Sequence, residues 1–492
     1  MLTPAARFGE VEYETEKPEP MATSLRPIVS LLIGVALLLA GAGLQITLLP
    51  LRGSVEGFGT FALGVIGSAY YVGFVSGCLI GPFIILRAGH IRAFTALVAV
   101  AAAAVLGYAL APDPVAWAFF RAITGFSLAG FYLVIESWLN DRASNDTRGL
   151  VMSAYVVVNL GALAAGQMLV TLAPIEGANS FMLAGILTAL AIVPVALTRS
   201  AQPAPITIVS FRPRQLYEAA PVALVACFMI GVAVGAFWAL GPLSVGGEGF
   251  SVTEVAGFMS VAVVGGALAQ YPAGRLSDRM DRRLVLFALL AGATIVSLVL
   301  WLFAPMGLSL VVLGFLFGAL ALPGYSLAAA HGYDKTENSD MVPTAATMLL
   351  ANGLGAVIGP LAAALLMGAA GPRALFLFMA IALGLLAAFV FYRTTVQAPV
   401  AQPKKTDFDL ATTSQVGTVV ATEELNPADK YVVAPEPYVA PEEAALAAEG
   451  ADQHRRHRAD ANQPGEAHQD GGKGQQAAVG HAADSMKERS GN

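Results

Sequence analysis

Apolar residues in this chain come in long runs broken by short polar turns. Windows of about 20 mostly apolar residues, the length a helix needs to cross about 30 Å of hydrocarbon, recur twelve times. They predict helices near 27–50, 60–86, 91–111, 115–138, 149–173, 180–197, 219–244, 252–274, 283–303, 307–331, 343–369 and 372–393. Gly-Pro pairs inside them, such as Gly241-Pro242 and Gly359-Pro360, would break a soluble helix but are tolerated where neighbouring helices satisfy the freed backbone. The longest polar interruption, 199–218, falls between the sixth and seventh windows and divides the block into halves at 27–198 and 219–393.

Composition turns this pattern into a class. Of 492 residues, 56% are hydrophobic and 13% charged, where soluble domains carry roughly 25% charged residues. Mean hydropathy is +0.66. The sequence reads as an all-α membrane protein. Basic residues then set its orientation. Fourteen fall on one side (Arg26, Arg87, Arg92, Arg142, Arg148, Arg199, Arg212, Arg214, Arg275, Arg279, Arg282, Arg283, Lys335, Arg393), against Arg52 and Arg373 on the other. The positive-inside rule makes the crowded side cytoplasmic, with both termini there and the chain in the cytoplasmic (inner) membrane.

The ends differ in chemistry. Residues 1–26 open with Glu10, Glu12, Glu14, Glu16 and Glu19, the wrong sign for a secretory signal, and Met21 is an alternative start. The tail 394–492 has 15 acidic and 9 basic residues and too little apolar surface to fold, so disorder is expected there. His454-Arg-Arg-His457 inside it reads as a solvated basic patch. Cys78 and Cys227 sit in apolar windows as buried small side chains, with no disulfide or metal site implied.

Offsetting the chain by 192 residues superposes Pro27 on Ala219 and Leu86 on Asp278, and lays RAGHIR (87–92) opposite RMDRRL (279–284). Repeated halves around a central cavity suit alternating access. The second of these turns puts six charges into the nine positions 275–283. Gly274-Arg-Leu-Ser-Asp278-Arg-Met-Asp-Arg-Arg283 resembles the loop motif of the major facilitator superfamily, with Asp281 in place of a second Gly, and Arg121-Ala-Ile-Thr-Gly125 matches that family's helix-4 motif. In the first-half copy Arg87, Gly89 and Arg92 survive, but Leu86 replaces the Asp. The resemblance covers 27–393. Leu49-Pro50-Leu51, Tyr70, Val134-Ile-Glu-Ser137, Gly166-Gln167 and Gln270-Tyr-Pro-Ala-Gly-Arg-Leu-Ser-Asp278 are similar to its YcaD-type branch. It implies twelve transmembrane helices in two pseudo-symmetric halves and transport of a small solute by alternating access.

Physical reading of the charged residues gives two candidate sites. At the cytoplasmic end, Asp278, Arg279, Arg282, Arg283, Glu136, Arg148, Arg87 and Arg92 form a belt. Asp278 can accept free N–H groups at the start of a neighbouring helix, here helix 5 beside Arg148-Gly149; the family resemblance implies that this contact spans the seam and closes an inner gate, while Glu136 can pair with Arg87, Arg92 or Arg148. The plainer alternative is that these charges anchor helix ends and set topology. Within the membrane, Arg121 lies about 9 Å inside helix 4. A central Arg costs about 2.5–3.5 kcal/mol to insert, so it needs a partner or a wet cavity. The family resemblance implies that it holds an anionic solute or influences a nearby proton site; the alternative is a structural Arg bonded to backbone carbonyls and polar neighbours. Gln45, Tyr70, Tyr155, Asn159, Gln167, Trp238, Gln270 and Asn352 are the other cavity candidates, each equally able to make a plain interhelical hydrogen bond. His331 reads as a structural histidine, and Gly161/Gly166 and Gly355/Gly359 as close packing.

No Asp or Glu falls deep in any predicted span, and no GxxxxGK[ST] loop is present. A facilitator, an anion exchanger and proton coupling through carboxylates near helix ends stay open. So does a non-transporting membrane sensor that signals through the tail. No nucleophile–base pair, paired deep carboxylate or metal cluster supports an enzyme, a cofactor or a metal. A neutral body with an acidic tail argues against nucleic acid. The expected partners are a small solute, protons or a counter-anion, and membrane lipid, with the chain acting as a monomer.

Overall fold

The computed structural model describes residues 28–142, 148–197, 211–303, 305–336, 340–396 and 408; the side chains of Asn140, Arg142 and Arg148 also lie outside that description. The expectations for the N-terminal segment, for most of the 199–218 loop and for the tail, including His454–His457, therefore fall outside it.

Twelve helices long and apolar enough to cross a membrane stand among the described residues. They are α1 (Val29–Val55), α2 (Thr60–Ala88), α3 (His90–Leu110), α4 (Pro114–Leu139), α5 (Gly149–Leu172), α6 (Asn179–Ala196), α7 (Pro221–Gly246), α8 (Val252–Arg279), α9 (Arg282–Phe303), α10 (Leu308–Tyr333), α11 (Met341–Ala370) and α12 (Ala374–Val396). A short helix, Pro213–Ala219, precedes α7. Helical structure in α4 continues to Arg142, beyond the expected end at 138. In α10 the helix is interrupted between Ala321 and Gly324. Pro323 there has no N–H to give the preceding turn.

Both halves are assembled by the same small-residue contacts. In the first, α2 and α4 touch backbone to backbone: a β-carbon on Gly125 would overlap the Tyr70 carbonyl oxygen, and one on Gly73 the Ala122 oxygen. In the second, α8 and α10 meet the same way at Gly265 with Phe315 and at Gly318 with Ala262. Gly166 of α5 meets Ala40 of α1, and Gly355 and Gly359 of α11 meet Phe228 and Val232 of α7. With no hydrophobic drive between helices in lipid, such approach lets van der Waals contact hold them together. The glycine of the Arg-x-x-x-Gly motif therefore has a packing role. Gly125→Ala is expected to push α4 off α2 and cost about 1–3 kcal/mol, read as a lower melting temperature of the purified protein.

Between halves, Leu51 meets Gly246, Gly64 meets Pro360 and Ala364, and Gly67 meets Ala239. Ser260 of α8 donates to the Ala164 carbonyl of α5 at 2.9 Å. Val75 meets Gly353 near the middle of α2 and α11. The other contacts lie in the parts of their helices away from the arginine-rich turns. Arg52 pairs with Glu56 and Arg373 with Glu248 at that same sparse end.

Candidate functional site

A cavity of about 290 Å³ lies between the halves, lined by both. Arg121 stands in its first-half wall at 9% exposure. The tight α2–α4 approach brings the guanidinium carbon 4.4 Å above the centre of the Tyr70 ring, a cation–π contact. Tyr108 is close by. Among the described residues Arg121 has no carboxylate within 4 Å, so its charge stands unneutralised in the wall.

Aromatic rings continue down that wall. Tyr70 stacks on Phe74 with centroids 6.4 Å apart, Phe74 meets Tyr132 edge-on at 6.4 Å, and Tyr71 meets Tyr70 edge-on at 5.1 Å. Gln45 donates to the Gly41 carbonyl at 3.2 Å, while its own side-chain oxygen has no partner. In the second-half wall, Gln270 donates to Ser326 at 2.8 Å and Asn352 to the Cys227 carbonyl at 2.9 Å, with Trp238 beside them. The break at Pro323 places Tyr325 and Ser326 on this wall.

Seven of the nine cavity candidates thus meet at one place: Arg121, Gln45, Tyr70, Asn159, Trp238, Gln270 and Asn352. Tyr155 and Gln167 do not. Tyr155 turns towards α4 and donates to Glu136 Oε1 at 3.4 Å, and Gln167 is sealed in protein with neither amide atom bonded. Tyr71, Phe74, Tyr132, Thr124, Ser127, Tyr325 and Ser326 line the cavity without having been singled out in the sequence. The proline in α10 is the signal that pointed to Tyr325 and Ser326; Tyr71, Phe74 and Tyr132 carried none.

The charged belt is arranged differently from expectation. Arg282 binds Asp334 at 2.7 Å, Ser277 at 3.0 Å and Asp278 at 3.2 Å, and both Arg282 and Asp334 side chains are 1% exposed. Arg283 binds Asp281 at 2.7 Å and donates to the Arg393 carbonyl at 3.1 Å. These partners belong to the same half. Burial works against ionising Asp281, but its hydrogen bonds and charge contact with Arg283 outweigh this and hold its carboxyl below the usual range. Asp278 also accepts the Phe408 N–H at 3.1 Å, so a residue beyond α12 reaches this turn. Arg279, Arg87 and Arg92 are exposed. The proposed contact of Asp278 with Arg148 lies outside the described side chains.

Glu136 departs most from expectation. It is 0% exposed, and the helix continues six residues beyond it to Arg142, so a carboxyl expected near a helix end is enclosed by protein. Its partner is a tyrosine, and no Arg–Glu136 ion pair is present among the described residues.

The Major Facilitator Superfamily family model matches residues 31–342 and 223–434. The chain is 29% identical over 362 residues to an uncharacterised MFS-type transporter, YcaD, of Escherichia coli O7:K1 (strain IAI39 / ExPEC), covering 73% of this chain and 94% of that protein. Among solved structures it resembles the nucleoside transporter NupG (TM-score 0.64, 15% identity, 75% of this chain and 98% of that one). It also resembles a bacterial homologue of the human lysosomal transporter Spinster in an inward-facing, occupied conformation (TM-score 0.60, 13% identity, 77% and 98%).

Proposed function

Because the chain belongs to the major facilitator superfamily, a family of transporters, we propose that it carries a small organic anion with a flat, apolar body, and that Arg121 holds the anionic group. One observation carries this reading: a guanidinium in the wall of a membrane-embedded cavity, with a tyrosine face on one side and no carboxylate within 4 Å among the described residues. A charge kept at that insertion cost without a fixed counter-ion is matched by a mobile one. Its planar fork suits carboxylates and sulfonates. Tyr70, Phe74 and Tyr132 offer ring faces to an apolar body, and Gln45, Gln270 and Asn352 offer hydrogen bonds around it.

The distribution of Arg supports placing the arginine-rich end in the cytoplasm of an inner membrane. Contacts between halves, gathered at the other end and the centre, support halves that rock about the cavity to expose it in turn.

A matched ligand set tests the charge preference. Benzoate and benzenesulfonate should raise the melting temperature of the purified protein, whereas benzamide, benzenesulfonamide and benzylamine should not. Equal shifts with neutral or cationic members would remove the anion assignment.

A further inference from the structure

Phe408 lies beyond Val396, where α12 ends, yet it is anchored on the last turns of α8. Three contacts hold it. Its N–H donates to Asp278 Oδ1 at 3.1 Å. Its half-buried ring lies against Gly274, where a β-carbon would overlap it. The same ring packs on the larger apolar cluster, to which Ala273 of α8 belongs. A backbone donor on a carboxylate is among the stronger hydrogen bonds, and only a glycine lets a ring approach a helix backbone this closely.

The seam between the halves gives this anchor its meaning. α5 starts at the arginine-rich end and α8 finishes there, so the two run antiparallel, and they meet where Ser260 donates to the Ala164 carbonyl. Counting 14 residues from that contact towards the arginine-rich end leads to Gly274 on α8 and to Leu150 on α5, about 21 Å along each helix. At about 3.6 residues per turn, Asp278 returns to the face of Ser260 after about five turns, and Gly274 lies about 40° from it. Gly274 and Asp278 therefore belong to the face of α8 that meets α5, at the depth where α5 begins. Phe408 has taken that face. The start of α5 stands clear: Gly149 is exposed, and a β-carbon there would meet nothing within 4 Å.

We propose that Phe408 is an autoinhibitory doorstop, docked in the seam where α5 has to pack against α8 for the arginine-rich end to close. While it is docked, Gly274 and Asp278 are occupied, and the halves keep their contacts at the centre and the opposite end. Closing the arginine-rich end requires the ring to leave, so the segment beyond α12 slows each cycle until it is released. The inference rests on halves that rock about the cavity, and not on the charge of the solute.

Spin-label distances across both ends of the full chain test it. One pair, introduced as Leu86→Cys on α2 and Leu284→Cys on α9, spans the arginine-rich end; the other, Val115→Cys on α4 and Leu308→Cys on α10, spans the opposite end. These four side chains are 44%, 40%, 78% and 79% exposed, so labels there leave the packing intact. Cys78 and Cys227 are changed to alanine throughout. A half-buried aromatic ring shifts such a balance roughly 3- to 10-fold. Phe408→Ala is expected to enlarge the population with a short 86–284 distance by that factor and to lengthen the 115–308 distance in the same measure. Phe408→Leu, which keeps an apolar plug, should stay near wild type. Distributions in Phe408→Ala that match wild type at both ends would overturn the doorstop, even if the melting temperature falls, because a merely structural contact changes stability alone. Closure at the arginine-rich end with no opening at the other would instead overturn the rocking halves and leave the docking of Phe408 standing.

Discussion

Arg121→Ala is expected to weaken anion binding by roughly 150-fold while making the empty protein more resistant to heat. A charge-assisted hydrogen bond is worth about 1.5–3 kcal/mol, which corresponds to roughly 10- to 150-fold in Kd. Losing the binding group of the cavity should reach the upper end of that range. The rise in stability follows from the same geometry. Removing a nearly buried cation that no carboxylate among the described residues neutralises relieves its desolvation, and a cation–π contact returns only part of this. A merely structural arginine would do the reverse, since its removal would leave its hydrogen-bond partners unsatisfied. Melting temperatures of the ligand-free variant and wild type therefore separate the two roles by sign. Arg121→Lys refines the point: it keeps the charge but not the planar fork, so full retention of benzoate binding would argue against bidentate recognition.

The spans and the twofold repeat were legible because each is imposed by something outside the details of packing. Hydrocarbon thickness fixes the length of every apolar run, and the turns RAGHIR and RMDRRL repeat at a fixed offset. Five of the seven cavity residues named from the sequence were legible for a related reason. An amide or guanidinium in a lipid-embedded helix must face protein or water, so Gln45, Arg121, Asn159, Gln270 and Asn352 advertise an interior face. Aromatic residues advertise nothing, because a tyrosine or phenylalanine is at home against lipid, protein or ligand. Tyr71, Phe74 and Tyr132 were hidden for that reason. Tyr155 and Gln167 show the opposite limit. Both face the interior, yet they meet other helices rather than the cavity, and helix rotation by less than one residue step decides between the two. Glu136 was misplaced through a boundary. Polar residues 140–142 look like the end of a span in composition, but backbone hydrogen bonding carries the helix through them.

The motif turn makes the second large prediction, one of stability. Arg282 reaches Asp334 with two nitrogens, at 2.7 and 3.4 Å, and adds Ser277 and Asp278. Both partners of the main pair are almost fully enclosed, which takes this contact out of the class of surface ion pairs worth at most about 1 kcal/mol. It ties the start of α9 to the end of α10 within one half. Breaking such a pair from one side leaves an uncompensated buried charge and costs about 3–5 kcal/mol. Arg282→Met is accordingly expected to lower the melting temperature sharply, and Asp334→Leu to do the same. Replacing both together should restore most of the loss, because an apolar pair of similar volume strands no charge. Equilibrium or thermal unfolding of the three variants in detergent provides the comparison. Should the double variant be as unstable as the sum of the single ones, the turn would owe its strength to separate contacts such as Ser277 and Asp278 rather than to the pair. Should all three match wild type, the enclosed pair would contribute nothing to holding α9 and α10 together, and the charges of this motif would be left to the seam between the halves.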